Sequence, residues 1–346
     1  MTARIAVFHG FGQPLELVEC PIPNLQEGET LVKINCCALC RSDLHTYEGR
    51  RTEATPAILG HEAVGQVIES RAGLAPGMRI TWGIFACCSE CFFCCNGLPQ
   101  KCESLFKYGH ARLTDEQPLS GGLATHILLR KGTPVVPLPD SIPDEIAVLA
   151  NCSTATAFAS IRNADLRTNA VVAVLGMGIL GLTAAAILSS QGHQVIGFDP
   201  DPAKAELAKD FGCTDFFSDV DAFKSALSNQ TQGRGADACL ELAGSQAAAQ
   251  LSLTSVRIGG TIIWTGAAAP VGEVSIQPEQ ILRRQLTIRG VHNYIPGDLT
   301  DAVEFLSAFS QQFRFEALFG ATFSLDEIET ALQFAAVSTS RVMVRP

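Results

Sequence analysis

Charge is scarce in this chain. Of its 346 residues only 17% are charged and 47% are hydrophobic, against roughly 25% charged in an average soluble domain, which excludes intrinsic disorder. Basic clusters are missing as well. None is longer than the pair Arg50-Arg51, and 25 Lys+Arg against 35 Asp+Glu leave a net charge of -10, so a phosphate backbone is repelled and nucleic acid is not an expected partner. No apolar run approaches the ~18 residues of a membrane span. The first ten residues lack the charged-then-apolar layout of a secretory signal. The expectation is a cytoplasmic protein with no membrane partner. Internal repeats and low-complexity tracts are also absent, and at roughly 150 residues per domain the length predicts two domains.

Cysteine, by contrast, is plentiful. Thirteen are present, an odd number, and in a chain without a leader cysteines are more often metal ligands or buried thiols than disulfides. Cys88-x2-Cys91-x2-Cys94-x7-Cys102 places four sulfurs within a turn-rich stretch, 86–103, which suits a tetrahedral zinc closed on all sides. Doubled cysteines at 87/88 and 94/95 blur the register, and the even x2 spacing favours 88, 91, 94 and 102. A second set is dispersed: Cys40, His61 and Cys152 would give zinc two sulfurs and one nitrogen and leave the fourth position open, as a catalytic zinc requires.

The texture of the chain divides it. From Ile5 to about Gly83, short β-like runs are broken by Gly and Pro, as in an irregular all-β barrel or sandwich. After Pro143 an Ala-rich helical segment, 144–164, leads into alternating strands and helices as far as about Gly290, the pattern of a parallel sheet covered on both faces. A helix from Asp298 to about Phe313, another over 325–336 and a strand over 341–345 close the chain. Between a strand and a helix lies Gly176-Met-Gly178-Ile-Leu180-Gly181, and Asp199 ends the next apolar run. This is the fingerprint of a dinucleotide site, with the phosphates at the helix N-terminus and the acidic side chain on the adenosine ribose. The Asp199 charge would repel a 2′-phosphate, so NAD is expected rather than NADP.

These three motifs, in this order, resemble the zinc-dependent medium-chain alcohol dehydrogenase family over essentially the whole chain. The resemblance implies an α/β architecture: a GroES-like β-barrel catalytic domain, 1–152 and 293–346, with an inserted Rossmann doubly wound parallel-sheet domain, 153–292. It makes Cys40, His61 and Cys152 ligands of a catalytic zinc, with Glu62 behind the metal and able to coordinate it. Asp43 orients His61, and Ser42 and His45 match the hydroxyl and imidazole of a proton relay. Cofactor contacts fall on Arg41, Thr156, Gly176, Gly178, Leu180, Gly181, Asp199, Lys204 and Arg341. The arginines belong at the pyrophosphate, Lys204 near the adenosine ribose, and the segment around Thr156 against the nicotinamide.

The function implied is reversible hydride transfer from an alcohol to NAD, with two Zn2+ per chain, in a homo-oligomer (dimer or tetramer). Residues 98–102, 107–110 and 150–156 are most similar to a bacterial subgroup associated with phosphonate catabolism, which, with Arg50, Arg51, Lys107, His110 and Arg112, implies a small alcohol bearing an anionic group. Two other readings use the same motifs: a non-catalytic binding protein keeping the four-cysteine lobe on a dehydrogenase scaffold, and a zinc-free quinone reductase relative.

Overall fold

A computed structural model describes residues 2–346, which divide into two compact units. The first comprises the chain up to Cys152 together with Ile295–Ser310 and Phe315–Pro346. The second is Ser153–Tyr294 with Gln311–Arg314.

The first unit is built on a seven-stranded sheet whose main path runs Val135–Pro137, Arg79–Trp82, Glu62–Ser70, Thr30–Leu39, Arg341–Arg345, Phe319–Ser324, with His126–Leu129 also paired to Thr30–Leu39. Thr30–Leu39 is buried along nearly its whole length. Its register to Glu62–Ser70 shifts twice, between Leu31 and Val32 and between Ile34 and Cys36. Such bulges bend and twist a strand, letting the sheet wrap around one apolar interior. That interior includes Val32, Ile34, Val67, Ile80, Trp82, Ile127, Val342 and Val344. A three-stranded sheet, Glu16–Pro21, Thr2–Phe8 and Ala57–Ile58, packs its apolar side chains into the same core.

The second unit carries six strands that pair only in parallel: Asp215–Phe217, Gln194–Phe198, Val171–Leu175, Ala236–Glu241, Val256–Trp264, Thr287–Gly290. In chain order this is 3-2-1-4-5-6, so the winding direction reverses between Val171–Leu175 and Ala236–Glu241. Val172 to Leu175 are wholly buried, as strands covered on both faces must be. The helix Ile179–Ser190 is also apolar nearly all round, with Gly181 to Leu188 buried. The expected α/β architecture, a GroES-like barrel and a doubly wound parallel sheet, is present. No helix among the described residues is long and apolar enough to cross a membrane.

The structure departs from expectation in several elements. The segment 144–164 is not one helix: a turn at Asp144–Ala147 is followed by a π-helical stretch, Ala150–Thr154, and only then by the α-helix Ala155–Ala164. The helix expected from Asp298 begins at Pro296 and stops at Phe309. Leu325–Glu327 is a separate 3-10 turn ahead of the helix Ile328–Val337. The strand Phe319–Ser324 was not among the expected elements, although its Phe319, Ala321 and Phe323 alternate with exposed positions as a half-buried edge strand does.

Candidate functional site

In the lobe, the sulfurs of Cys88, Cys91, Cys94 and Cys102 all lie within 4.8 Å of one another. The helical turn Phe92–Cys95 and the 3-10 turn Pro99–Lys101 frame them. Backbone N–H groups reinforce the cluster: Cys88 N donates to Cys102 Sγ at 3.3 Å and Cys91 N to Cys88 Sγ at 3.4 Å. Against burial, hydrogen bonds from Ser104 and from Cys88 N bring the Cys102 thiol down to about 6. The neighbours Cys87 and Cys95 point elsewhere, Cys87 Sγ at Gly132 O and Cys95 Sγ at Glu90 O. Of each doubled pair, it is Cys88 and Cys94 whose sulfurs converge with those of Cys91 and Cys102.

A second convergence involves Cys40, His61, Glu62 and Cys152, whose ligand atoms also lie within 4.8 Å of one another. Cys40 precedes the short helix Arg41–Tyr47, and His61 immediately precedes the strand Glu62–Ser70. Asp43, wholly buried, ties the two together. It accepts from Cys40 N at 2.9 Å through Oδ2, and from Gly60 N at 3.1 Å and His61 Nδ1 at 3.2 Å through Oδ1. With Nδ1–H engaged, Nε2 is left as the lone-pair donor, the state a metal ligand needs. Ser42 Oγ stands 3.4 Å from that nitrogen. His45, one turn further on the same helix, is partly buried, and burial with the charges of Arg41 and Arg50 lowers its pKa.

Cys152 reaches the cluster from the π-helical stretch, which adds a residue to one helical turn; such bulges recur at functional sites. The preceding Asn151 is buried and donates through Nδ2 to His61 O at 2.9 Å and Trp82 O at 3.0 Å, anchoring the stretch to the histidine loop. A hydrogen bond from Cys152, opposed by burial and assisted by Arg341 and His61, holds the Cys40 thiol well below its ordinary range. Burial pushes Glu62 up to about 8 while Arg341 pulls it down. Glu62 Oε2 is buried with no hydrogen-bond partner among the described residues. Two thiols, an imidazole nitrogen and an uncommitted carboxylate oxygen form a donor set that zinc fits.

Arg341, expected at a pyrophosphate, is buried in the first unit. Its Nη2 lies 2.9 Å from Glu62 Oε1 and its Nη1 donates to Leu39 O at 3.0 Å. Arg41 is exposed. Sequence reasoning did not find Asn151 as an anchor, nor Glu53, the carboxylate that stands among the cations it named around His110. The His110 ring lies 5.0 Å from that of His61, and its Nδ1 is 3.2 Å from Glu53 Oε1, which also faces Arg51 Nη2 at 2.6 Å. Lys107, three residues before His110, is half-buried and forms no ion pair among the described residues. Arg50 pairs with Glu48 at 3.1 Å, and Arg112 is exposed.

The second unit gathers the nucleotide features. Gly176 has φ +96, and a Cβ there would come within 2.5 Å of Ala243 N; a Cβ on Gly178, which caps the helix Ile179–Ser190, would meet nothing within 4 Å. The motif thus closes tightly on one side and leaves open space before a helix N-terminus whose cap residue, Gly178, offers no side-chain acceptor, which fits a pyrophosphate. Gly181 packs the helix on Gly176 O, and Leu180 occupies its first turn. Asp199 is 6% exposed; Oδ2 accepts from Met177 N and from Lys204 Nζ, each at 2.8 Å. Thr156 lies in the first turn of Ala155–Ala164, where its carbonyl accepts from Ser160 Oγ at 2.8 Å.

Comparison with known proteins follows this geometry. Residues 26–140 match the profile of the alcohol dehydrogenase GroES-like domain, and residues 180–308 that of zinc-binding dehydrogenase. Among curated proteins, sorbitol dehydrogenase of Bacillus subtilis is 27% identical, with 99% of this chain and 97% of that protein covered. An alcohol dehydrogenase of Geobacillus stearothermophilus is 28% identical over 87% and 88%. Among solved structures, an alcohol dehydrogenase from Thermotoga maritima superposes with a TM-score of 0.93 at 28% identity, covering 100% of both chains.

Proposed function

The chain belongs to the zinc-dependent medium-chain alcohol dehydrogenase family, and from that premise we propose that it uses NAD, holds two zinc ions and oxidises a small alcohol bearing an anionic group. The family makes it an oxidoreductase of the alcohol and polyol type, with zinc and a nicotinamide cofactor. The observation that carries the finer reading is the convergence of two half-buried cysteines, Cys40 and Cys152, with the buried His61 and Glu62. The four-cysteine lobe would hold the second, structural ion.

When bound, zinc would supply a Lewis acid favouring ionisation of an alcohol, and the nicotinamide a hydride acceptor. The chain's own residues do the rest. Asp43 fixes the ring of His61 and, through Cys40 N and Gly60 N, the two loops that bear ligands. Ser42 Oγ, beside His61 Nε2, would take the proton of the alcohol as it gives up its own hydroxyl proton to a cofactor ribose hydroxyl, and His45, one helical turn further on, would accept the relayed proton and release it to solvent. Burial and the charges of Arg41 and Arg50 lower the His45 pKa, which favours the neutral imidazole that can accept a proton. In the second unit, Asp199 receives the adenosine ribose hydroxyls and opposes a 2′-phosphate, which supports NAD.

Support for the anionic group comes from charge balance beside the cluster. Arg51 and His110 both face Glu53, whose charge also acts on the nearby Lys107. In a chain of net charge -10 this local excess of cation suits a phosphonate, phosphate or carboxylate on the substrate, gripped bidentately by the guanidinium. The test is metal analysis of the purified protein with kcat/KM for paired alcohols, with and without an anionic group, on NAD and NADP. Two zinc ions per chain, a preference for the anionic partner and a preference for NAD are expected. Active enzyme with one zinc or none overturns the ligand assignment, equal turnover with NADP overturns the cofactor choice, and a penalty for the charged alcohol overturns the substrate class.

A further inference from the structure

Two loops of the first unit, remote in sequence, face each other beside the ligand cluster. Arg51 and Glu53 lie between the helix Arg41–Tyr47 and the strand Ala57–Ile58. Arg51 N donates to His45 O at 3.0 Å, which fastens the start of this loop to the helix, and Leu113 N donates to Pro56 O at 2.7 Å, which fastens its end to the segment after His110. Lys107 ends the short strand Phe106–Lys107, and the chain then turns, with Ala111 N donating to Lys107 O at 3.0 Å. The ring of His110, in that turn, lies 5.0 Å from the ring of His61.

A carboxylate stands in the middle of the cations these loops bring together. Glu53, its side chain 16% exposed, has Arg51 Nη2 at 2.6 Å and His110 Nδ1 at 3.2 Å. Against burial, His110, Arg51 and Lys107 hold its carboxyl below the ordinary range, so it is ionised at neutral pH. Lys107 has no ion-pair partner among the described residues, Arg50 is matched by Glu48 at 3.1 Å, and Arg112 is exposed. The local balance therefore rests on Arg51 and Lys107 against Glu53. A site that only attracted anions would gain nothing from that carboxylate. Glu53 occupies part of the Arg51 fork, and it repels any second negative charge brought between the two cations.

We infer that Glu53 sets the charge of the substrate group admitted here: a single negative charge, as on a carboxylate, is accepted between Lys107 and Arg51, and a double one, as on a phosphate monoester, is disfavoured. The inference rests on the anionic substrate proposed above and narrows it. Lys107 and the part of the Arg51 guanidinium that Glu53 leaves free balance a monoanion, whereas a dianion needs both cations whole. Discrimination between similar ligands commonly uses a repulsive group beside the attractive ones.

The test measures kcat/KM with NAD for three alcohols of one skeleton that end in a methyl, a carboxylate and a phosphate monoester, at about pH 7, where the phosphate, with its second pKa of about 6, is mostly dianionic. Each anion is read as a ratio to the methyl alcohol in the same protein, so a general loss caused by a substitution cancels. Wild type is expected to favour the carboxylate over the phosphate. Glu53→Gln and Glu53→Ala should raise the phosphate ratio about tenfold, the order of one unit charge acting through a partly solvated site, and the carboxylate ratio less. Glu53→Asp, which keeps the charge, should keep the wild-type order, and Glu48→Gln, the same charge change beside Arg50, should move neither ratio. A wild type that takes the phosphate as well as the carboxylate or better overturns the inference, whether or not the variants fold. So does a phosphate ratio that stays put in Glu53→Gln and Glu53→Ala, or one that rises as much in Glu48→Gln. A wild type that prefers the methyl alcohol to both anions removes the anionic-substrate reading itself, and this inference with it.

Discussion

Burial holds the Lys107 amine down at about 8, with Arg51 pressing the same way, against an ordinary value of 10.5. Below about 8 it is an ammonium and can pair with an anionic substrate group; above, it is neutral. For an anionic alcohol kcat/KM should therefore fall as pH rises through about 8, while a neutral alcohol of the same skeleton shows no such limb. Stability moves the other way. Between about 8 and 10.5 the unfolded chain holds a proton the folded one has released, so this group favours folding as pH rises, and a loss of rate in that window is not unfolding. Lys107→Gln should remove the limb and cost roughly 10- to 100-fold on the anionic substrate only, the range of a charge-assisted hydrogen bond. Paired pH-rate profiles check both. Cys40→Ser acts differently: it replaces a thiolate ligand by a hydroxyl of similar size, so one zinc per chain and turnover should be lost while NADH binding, read by fluorescence titration, persists.

Adjacent residues in a helical turn point about 100° apart, so Cys94 and Cys95, both in Phe92–Cys95, cannot serve one ion together. Cys88→Ser and Cys94→Ser should each release the lobe's metal and lower the melting temperature, because a structural site contributes folding energy directly. Cys87→Ser and Cys95→Ser should change neither metal content nor melting. The spacing alone favoured this register, because an even x2 repeat is a local property. Other elements were not legible for the opposite reason. Nothing local marks Ala150–Thr154 as π-helical. Its form goes with Asn151 reaching the carbonyls of His61 and Trp82, 90 and 69 residues away. The parallel strands of the second unit were readable as apolar runs between turn signals, whereas Phe319–Ser324 spreads its period of two over only six residues, with Gly320 and Ala321 among them, and passed unread.

At the scale of the whole chain, the first unit is complete only when its last strand arrives. Arg341–Arg345 lies between Thr30–Leu39, to which it is antiparallel, and Phe319–Ser324, to which it is parallel. It was legible as a strand but its partners were not, since the hydrogen bond from Arg341 to Leu39 O spans 302 residues of sequence. It brings Val342, Met343 and Val344, each at most 3% exposed, into the core and sets Arg341 against Glu62. At about 1.5–3 kcal/mol for each fully buried aliphatic side chain, the three contribute roughly 5–9 kcal/mol, before counting the ladder bonds on both edges. A whole domain is stable by only about 5–15 kcal/mol. Removing residues 341–346 should therefore unfold the first unit and abolish metal binding by Cys40, His61 and Cys152, even though all three ligands remain in the chain. Removing Pro346 alone, which is exposed, should leave melting and metal content unchanged. Thermal melts with metal analysis of the two truncations decide it: a chain lacking 341–346 that still melts cooperatively at the parent temperature with its full zinc complement would show that this strand adds nothing to the sheet it divides.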